Sequence, residues 1–204
     1  PLALLHLGLA FEAGERWHEA ADTYKRLVAT KPGSPDLHLR LGSALVRAGE
    51  VEEGTRALLE ATTPDAADTP ASPQLLQQAG NILLEAKQPE PAERMYRLAV
   101  EIAPEDGFTR LRLGEALTQQ QKNEEAVEAW KQAILLEPDA PAAEQAARLI
   151  HRRLAPEERL PWWHIFAEHS PDISLVRAYH ALACACAGDT AQAKELLGTI
   201  LASP

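Results

Sequence analysis

Seven histidines, two cysteines and 30 acidic residues are the groups in this 204-residue chain with metal-binding or acid–base chemistry to offer. His164 and His169 are five apart, a poor spacing for two ligands on one helix, and no cysteine or carboxylate cluster accompanies them. His151 sits in IHRRL beside two arginines, which disfavour a cation. Cys184 and Cys186 are two apart, so on a helix they project to nearly opposite sides and can neither bridge nor share a metal; they are expected to fill a helix interface as small side chains. The sequence holds no HExxH, no glycine-rich phosphate loop and no nucleophile elbow. Its carboxylates fall mostly on turns and outer helix faces. The expectation is a chain without catalytic, metal or cofactor sites, one that is not an enzyme.

Recognition chemistry remains. In Pro161-Trp162-Trp163-His164 the adjacent tryptophans cannot share a helix face. Trp162 and Trp163 therefore make a secondary candidate for a partner contact, since tryptophan dominates binding hot spots. The alternative is that one fills a packing slot while the other covers a gap beside an irregular turn. Elsewhere arginine, glutamine and asparagine recur at positions whose meaning depends on the helices that carry them.

Those helices are written in a repeat. The stretch EEAVEAWKQAILLEP (124–138) places Ala126, Trp130 and Ala133 on one stripe before Pro138 stops it. The same spacing returns as Ala92, Tyr96, Ala99 and Pro104, and as Ala20, Tyr24, Leu27 and Pro32. Ahead of these lie HLGLAF, RLGSAL, QAGNIL and RLGEAL, whose glycines Gly8, Gly42, Gly80 and Gly114 are 34, 38 and 34 residues apart. Each glycine precedes the small residue of the following helix (Ala20, Gly54, Ala92, Ala126) by twelve positions. A glycine inside a helix costs about 1 kcal/mol relative to alanine. Four at one phase imply a neighbouring helix too close for a methyl group. The unit is a helical hairpin that must stack to bury its apolar face.

The sequence resembles the tetratricopeptide repeat family, with its leucine-glycine pair in the first helix and its alanine, aromatic, alanine and proline in the second. Residues 1–34, 73–106 and 107–140 match well. Residues 35–72 match with departures: Gly54 replaces the alanine, Leu58 the aromatic, and four extra residues are assigned to a longer loop in TTPDAADTPASP (62–73). Residues 141–172 read as a degenerate unit, with a first helix near 141–154, a proline-broken turn and a second helix near 160–168. Residues 173–204 read as a C-terminal hairpin. The implied fold is all-α, a right-handed superhelical solenoid of antiparallel hairpins in one continuous stack.

Composition agrees with helices and narrows the partners. The chain is 46% hydrophobic, 25% charged and only 5% aromatic, with a net charge of −10, which argues against nucleic acid and anionic lipid. No apolar run is long enough to insert into a membrane. Residues 1–10 are apolar yet lack the charged start and cleavage site of a signal peptide. With proline first and no initiator methionine, the chain reads as part of something longer, and cytoplasm and periplasm are both open. The leucine-rich first helix and the apolar Ile200-Leu201 end suggest covering by flanking sequence or self-association.

The resemblance implies that first helices line a concave groove. Positions escaping the packing stripe include Arg40, Ser43 and Arg47, then Gln78 and Asn81, then Arg112 and Arg148. Arg40, Arg47, Gln78, Asn81, Arg112 and Arg148 are the expected partner-binding groove, where such groups hold an extended peptide's carbonyls and a carboxylate. The lysine and asparagine set with which some family members grip chaperone tails is not reproduced, so that ligand is not implied. The favoured expectation is a scaffold for protein–protein interaction that binds a peptide or partner segment, acidic or carboxylate-bearing. A substrate-presenting accessory domain of a longer enzyme and a self-assembling structural module are the alternatives.

Overall fold

The computed structural model describes residues 2–62 and 72–202, and among them the regular structure is twelve α-helices with no strand. They run as pairs: α1 (Leu2–Ala13) and α2 (Trp17–Thr30), α3 (Pro35–Arg47) and α4 (Val51–Thr62), α5 (Pro73–Glu85) and α6 (Pro89–Ile102), α7 (Gly107–Gln119) and α8 (Asn123–Leu136), α9 (Pro141–Arg153) and α10 (Pro156–His169), and α11 (Ser174–Ala187) and α12 (Thr190–Ala202). The chain divides into two compact units, residues 1–104 with α1–α6 and residues 105–204 with α7–α12. Proline sits at the start of α3, α5, α6, α9 and α10, where its missing N–H would have no partner in any case. The Ser72 hydroxyl caps α5 by accepting from Leu75 N–H at 3.2 Å, and the Asp106 carboxylate caps α7 by accepting from Thr109 N–H at 3.1 Å. The loop assigned to residues 62–73 lies, apart from its ends, outside the described residues.

The glycine phase has a direct cause. A Cβ added at Gly8 would lie 2.7 Å from the Tyr24 ring, one at Gly80 2.8 Å from the Tyr96 ring and one at Gly42 2.5 Å from Leu58 Cγ, while one at Gly114 would overlap the Trp130 indole. Each partner lies sixteen residues after its glycine, and all four are fully buried. The glycine is a notch and the residue across the hairpin is its knob. The polar tips of two knobs are satisfied: Tyr96 Oη donates to Asn81 Oδ1 at 2.8 Å, and Trp130 Nε1 donates to the Leu111 carbonyl at 3.1 Å. The departures in α3–α4 compensate each other. Gly54 meets Gly42, where an added Cβ would be 2.9 Å from the Gly42 carbonyl oxygen, so two glycines bring the backbones together and the smaller Leu58 suffices as the knob.

Five of the six turns inside the pairs carry one residue with left-handed backbone: Glu15 (φ 55°), Gly49 (φ 92°), Lys87 (φ 57°), Gln121 (φ 64°) and Gly188 (φ 89°). The sixth does not. Between α9 and α10 both Leu154 and Ala155 are extended (ψ 138° and 151°), and α10 makes its close backbone packing with α11. Here the sequence reading needs correction. The second helix begins at Pro156 rather than near residue 160, because Pro156 and the Glu158 carboxylate, accepting from Ala155 N–H at 3.2 Å, start it four residues earlier. The proline expected to break the turn, Pro156, instead opens the helix, and Pro161 lies within it.

Two outcomes follow from this packing. Gly80→Leu should destabilise the protein by about 1–3 kcal/mol through overpacking against Tyr96, measured by urea unfolding with a circular dichroism spectrum that remains all-helical. Replacing Gln121 or Lys87 with glycine should stabilise it by up to about 1 kcal/mol, because the left-handed conformation is then unstrained; a loss of stability in both variants would contradict the turn assignment.

Candidate functional site

The first unit contains a groove of about 750 Å³. One face of each first helix builds it: Leu9, Glu12 and Ala13 from α1, Asp36, Leu39, Arg40, Ser43 and Arg47 from α3, and Gln78, Asn81, Ile82 and Glu85 from α5, with Trp17 of α2 also lining it. The steps of three and four between these residues keep them on one stripe, opposite the buried Leu41, Ala44 and Leu45 of α3 and Leu76, Ala79 and Leu83 of α5. Four of the sequence-predicted residues, Arg40, Arg47, Gln78 and Asn81, thus come together.

Their side chains are already positioned. Arg40 Nη1 lies 3.5 Å from the Glu12 carboxylate, and the Arg47 guanidinium stacks 4.8 Å from the Trp17 ring centre. The bond from Tyr96 fixes the Asn81 amide. Burial, and then the Glu12 carboxylate, push the Tyr24 phenol up to about 12, so this tyrosine stays neutral. Two arginines face three carboxylates, Glu12, Asp36 and Glu85. The sequence reading did not select Glu12, Asp36 or Trp17. Helical spacing could have found two of them, since Glu12 follows Leu9 by three and Asp36 precedes Arg40 by four.

Arg112 and Arg148 belong to the second unit, on α7 and α9, and do not line this groove. Arg112 pairs with Glu115 at 2.5 Å, and Glu115 also accepts from Gln145 of α9 at 2.9 Å. Arg148 pairs with Glu144 at 2.8 Å. The two tryptophans separate as their adjacency demands. Trp163 is fully buried, stacked on Tyr179 at 5.1 Å and Phe166 at 6.0 Å, so it is core and offers no partner surface. Trp162 is half-buried and meets Trp163 and Phe166 edge-on at 4.9 and 5.2 Å. Beside them His180 is 4% exposed, and neither ring nitrogen has a hydrogen-bond partner. Among the described residues no group of three or more histidine, cysteine, aspartate or glutamate side chains could hold a metal.

Two sequence profiles described as tetratricopeptide repeat match the chain, one over residues 10–79 and the other over residues 73–106 and 109–140. Together they span residues 10–140, more than half of the protein, and the chain belongs to the tetratricopeptide repeat family. As a member of that family it is a protein-interaction scaffold. Similar solved structures include a tetratricopeptide repeat protein from Parabacteroides merdae ATCC 43184, with a TM-score of 0.60 at 15% identity over 99% of this chain and 80% of that one. Another is MamA (41-end) from Desulfovibrio magneticus RS-1, with a TM-score of 0.57 at 15% identity over 92% of this chain and 95% of that one. At such identities the likeness is one of fold. No curated protein matches in sequence.

Two desolvated histidines, His180 and His151, set a pH dependence. Burial, and then the neighbouring His164, hold His180 below the ordinary histidine value of 6.5, with Glu168 opposing. Burial and then Arg159 do the same for His151. The unfolded chain therefore takes up protons first, and stability present above about pH 6.5 is lost as the pH falls below it. Melting temperatures at about pH 7.5 and pH 5.5 should show this loss, and it should shrink in His180→Leu. An unchanged pH dependence in that variant would contradict the assignment.

Proposed function

We propose that the α1–α3–α5 groove holds an extended segment of a partner protein that carries a single carboxylate, such as a chain terminus or one acidic side chain. The observation that carries this reading is the convergence of Arg40, Arg47, Gln78 and Asn81 on one hollow of about 750 Å³. Gln78 and Asn81 offer amides to the peptide backbone, and Arg40 can exchange its 3.5 Å contact with Glu12 for a ligand carboxylate. Glu12, Asp36 and Glu85 repel a run of acidic residues, so one carboxylate fits better than several. A charge-assisted hydrogen bond of this kind is worth about 1.5–3 kcal/mol. Arg112 and Arg148, already paired within their own helices, contribute less. The net charge of −10 slows capture of acidic chains, so affinity is modest and falls with salt.

A displayed library of random peptides with free C-termini supplies the ligand, and calorimetry measures it. Arg40→Glu should weaken the selected peptide tenfold or more while leaving the melting temperature unchanged, as expected from losing one charge-assisted bond. Arg112→Glu should have little effect. Equal binding by folded Arg40→Glu would remove the groove from the account.

A further inference from the structure

On the second unit, a different hollow of about 630 Å³ opens between α8 and α10. Its floor is Val127, Leu154, Pro161, Trp162 and Ile165, and Ile165 is 55% exposed. A smaller hollow of about 260 Å³, lined also by Lys131, Phe166 and His169, shares Trp162 and Ile165. The origin is local. With Leu154 and Ala155 extended, α10 turns away from α9 and packs on α11, where Trp163 stacks on Tyr179. Trp162 and Ile165, three apart on another face, are left with apolar surface toward solvent. Trp162 is held by its edge contacts to Trp163 and Phe166, so it is presented rigidly, at low entropic cost to binding.

The rim gives the hollow a sign. Glu124 and Glu128 stand on α8, Glu157 and Glu158 on α10, Arg153 is the one cation lining this larger hollow, and Lys131 lines the smaller one. Glu128 is partly engaged by Lys131 at 3.6 Å, and Glu158 caps α10. No ion pair is found for Glu124 or Glu157 among the described residues. An apolar floor inside an acidic rim complements one chemistry.

We propose that this surface docks a segment of another protein in which bulky apolar side chains are flanked by lysine or arginine. The apolar side chains enter beside Trp162 and Ile165, and the basic ones meet Glu124 and Glu157, with a cation over the Trp162 ring adding to the attraction. An anionic membrane would be repelled by the same rim, and a second copy of this chain, at −10, is a poor electrostatic match. The site is separate from the α1–α3–α5 groove and does not depend on it.

The test titrates the protein with a synthetic peptide of pattern Lys-Arg-Leu-Trp-Lys-Leu-Arg-Lys and with its control carrying glutamate at every basic position. Binding is read by NMR, with signals assigned for the Trp162 indole and the Ile165 methyls. The basic peptide should shift both signals, the acidic control neither. The Glu124→Lys/Glu157→Lys double variant should weaken binding at least tenfold, as should Ile165→Glu, with melting temperatures unchanged. The proposal is overturned if the basic peptide shifts neither signal, if it shifts only α1, α3 and α5, or if the acidic control binds equally. It is also overturned if the Trp162 signal changes with protein concentration alone, which would make a second copy the occupant.

Discussion

Everything in the repeat region depends on how closely two helices of a hairpin approach, and that distance is set where a glycine faces a large side chain. At Gly8, Gly80 and Gly114 the large partner is aromatic, and at Gly42 the partner is Leu58 with Gly54 alongside. A methyl group at any of these sites would have to displace the knob or part the helices. The loss of helix propensity at glycine is offset by burying rings such as Trp130 and Tyr96 completely. The same contact reaches the groove in the third pair. The Tyr96 knob that fills the Gly80 notch carries its hydroxyl to Asn81, so a packing residue also orients a groove residue.

Where the turn chemistry changes, so does the surface. A left-handed residue folds five pairs back on themselves, and in three of them the strain is borne by glutamate, lysine or glutamine instead of glycine. The α9–α10 link has no such residue, and its helices part. Trp163 still lies sixteen residues after the small Ala147, the offset of every other knob, but it is buried by stacking on Tyr179 of α11. The irregular pair thereby leaves Trp162 half-buried, whereas the residues just before the other knobs, Thr23, Ala57, Met95 and Ala129, are buried.

Helix boundaries were legible wherever proline, glycine and the small–aromatic–small stripe agreed, which holds for residues 1–34 and 73–140. They were less legible at α10, because Pro156 reads as breaking a turn, whereas with the Glu158 cap it starts the helix. For the site, helical phase was enough to gather Arg40, Arg47, Gln78 and Asn81. The neutralising carboxylates were harder to see, since Glu12 belongs to an apolar helix whose other groove residues are Leu9 and Ala13. Phase also says nothing of pairing, so it could not distinguish Arg40, beside a groove carboxylate, from Arg112, tied to Glu115 at 2.5 Å.

The notch-and-knob contact can be isolated by a double-mutant cycle on Gly114 and Trp130, followed by urea unfolding. Gly114→Ala should destabilise the protein that retains Trp130, because the added methyl group overlaps the indole. In a Trp130→Ala background the same change should stabilise it by up to about 1 kcal/mol, since only the helix propensity of alanine remains. The account predicts this reversal of sign, with a coupling of about 1–3 kcal/mol. Additive effects, with Gly114→Ala equally harmful in both backgrounds, would contradict it.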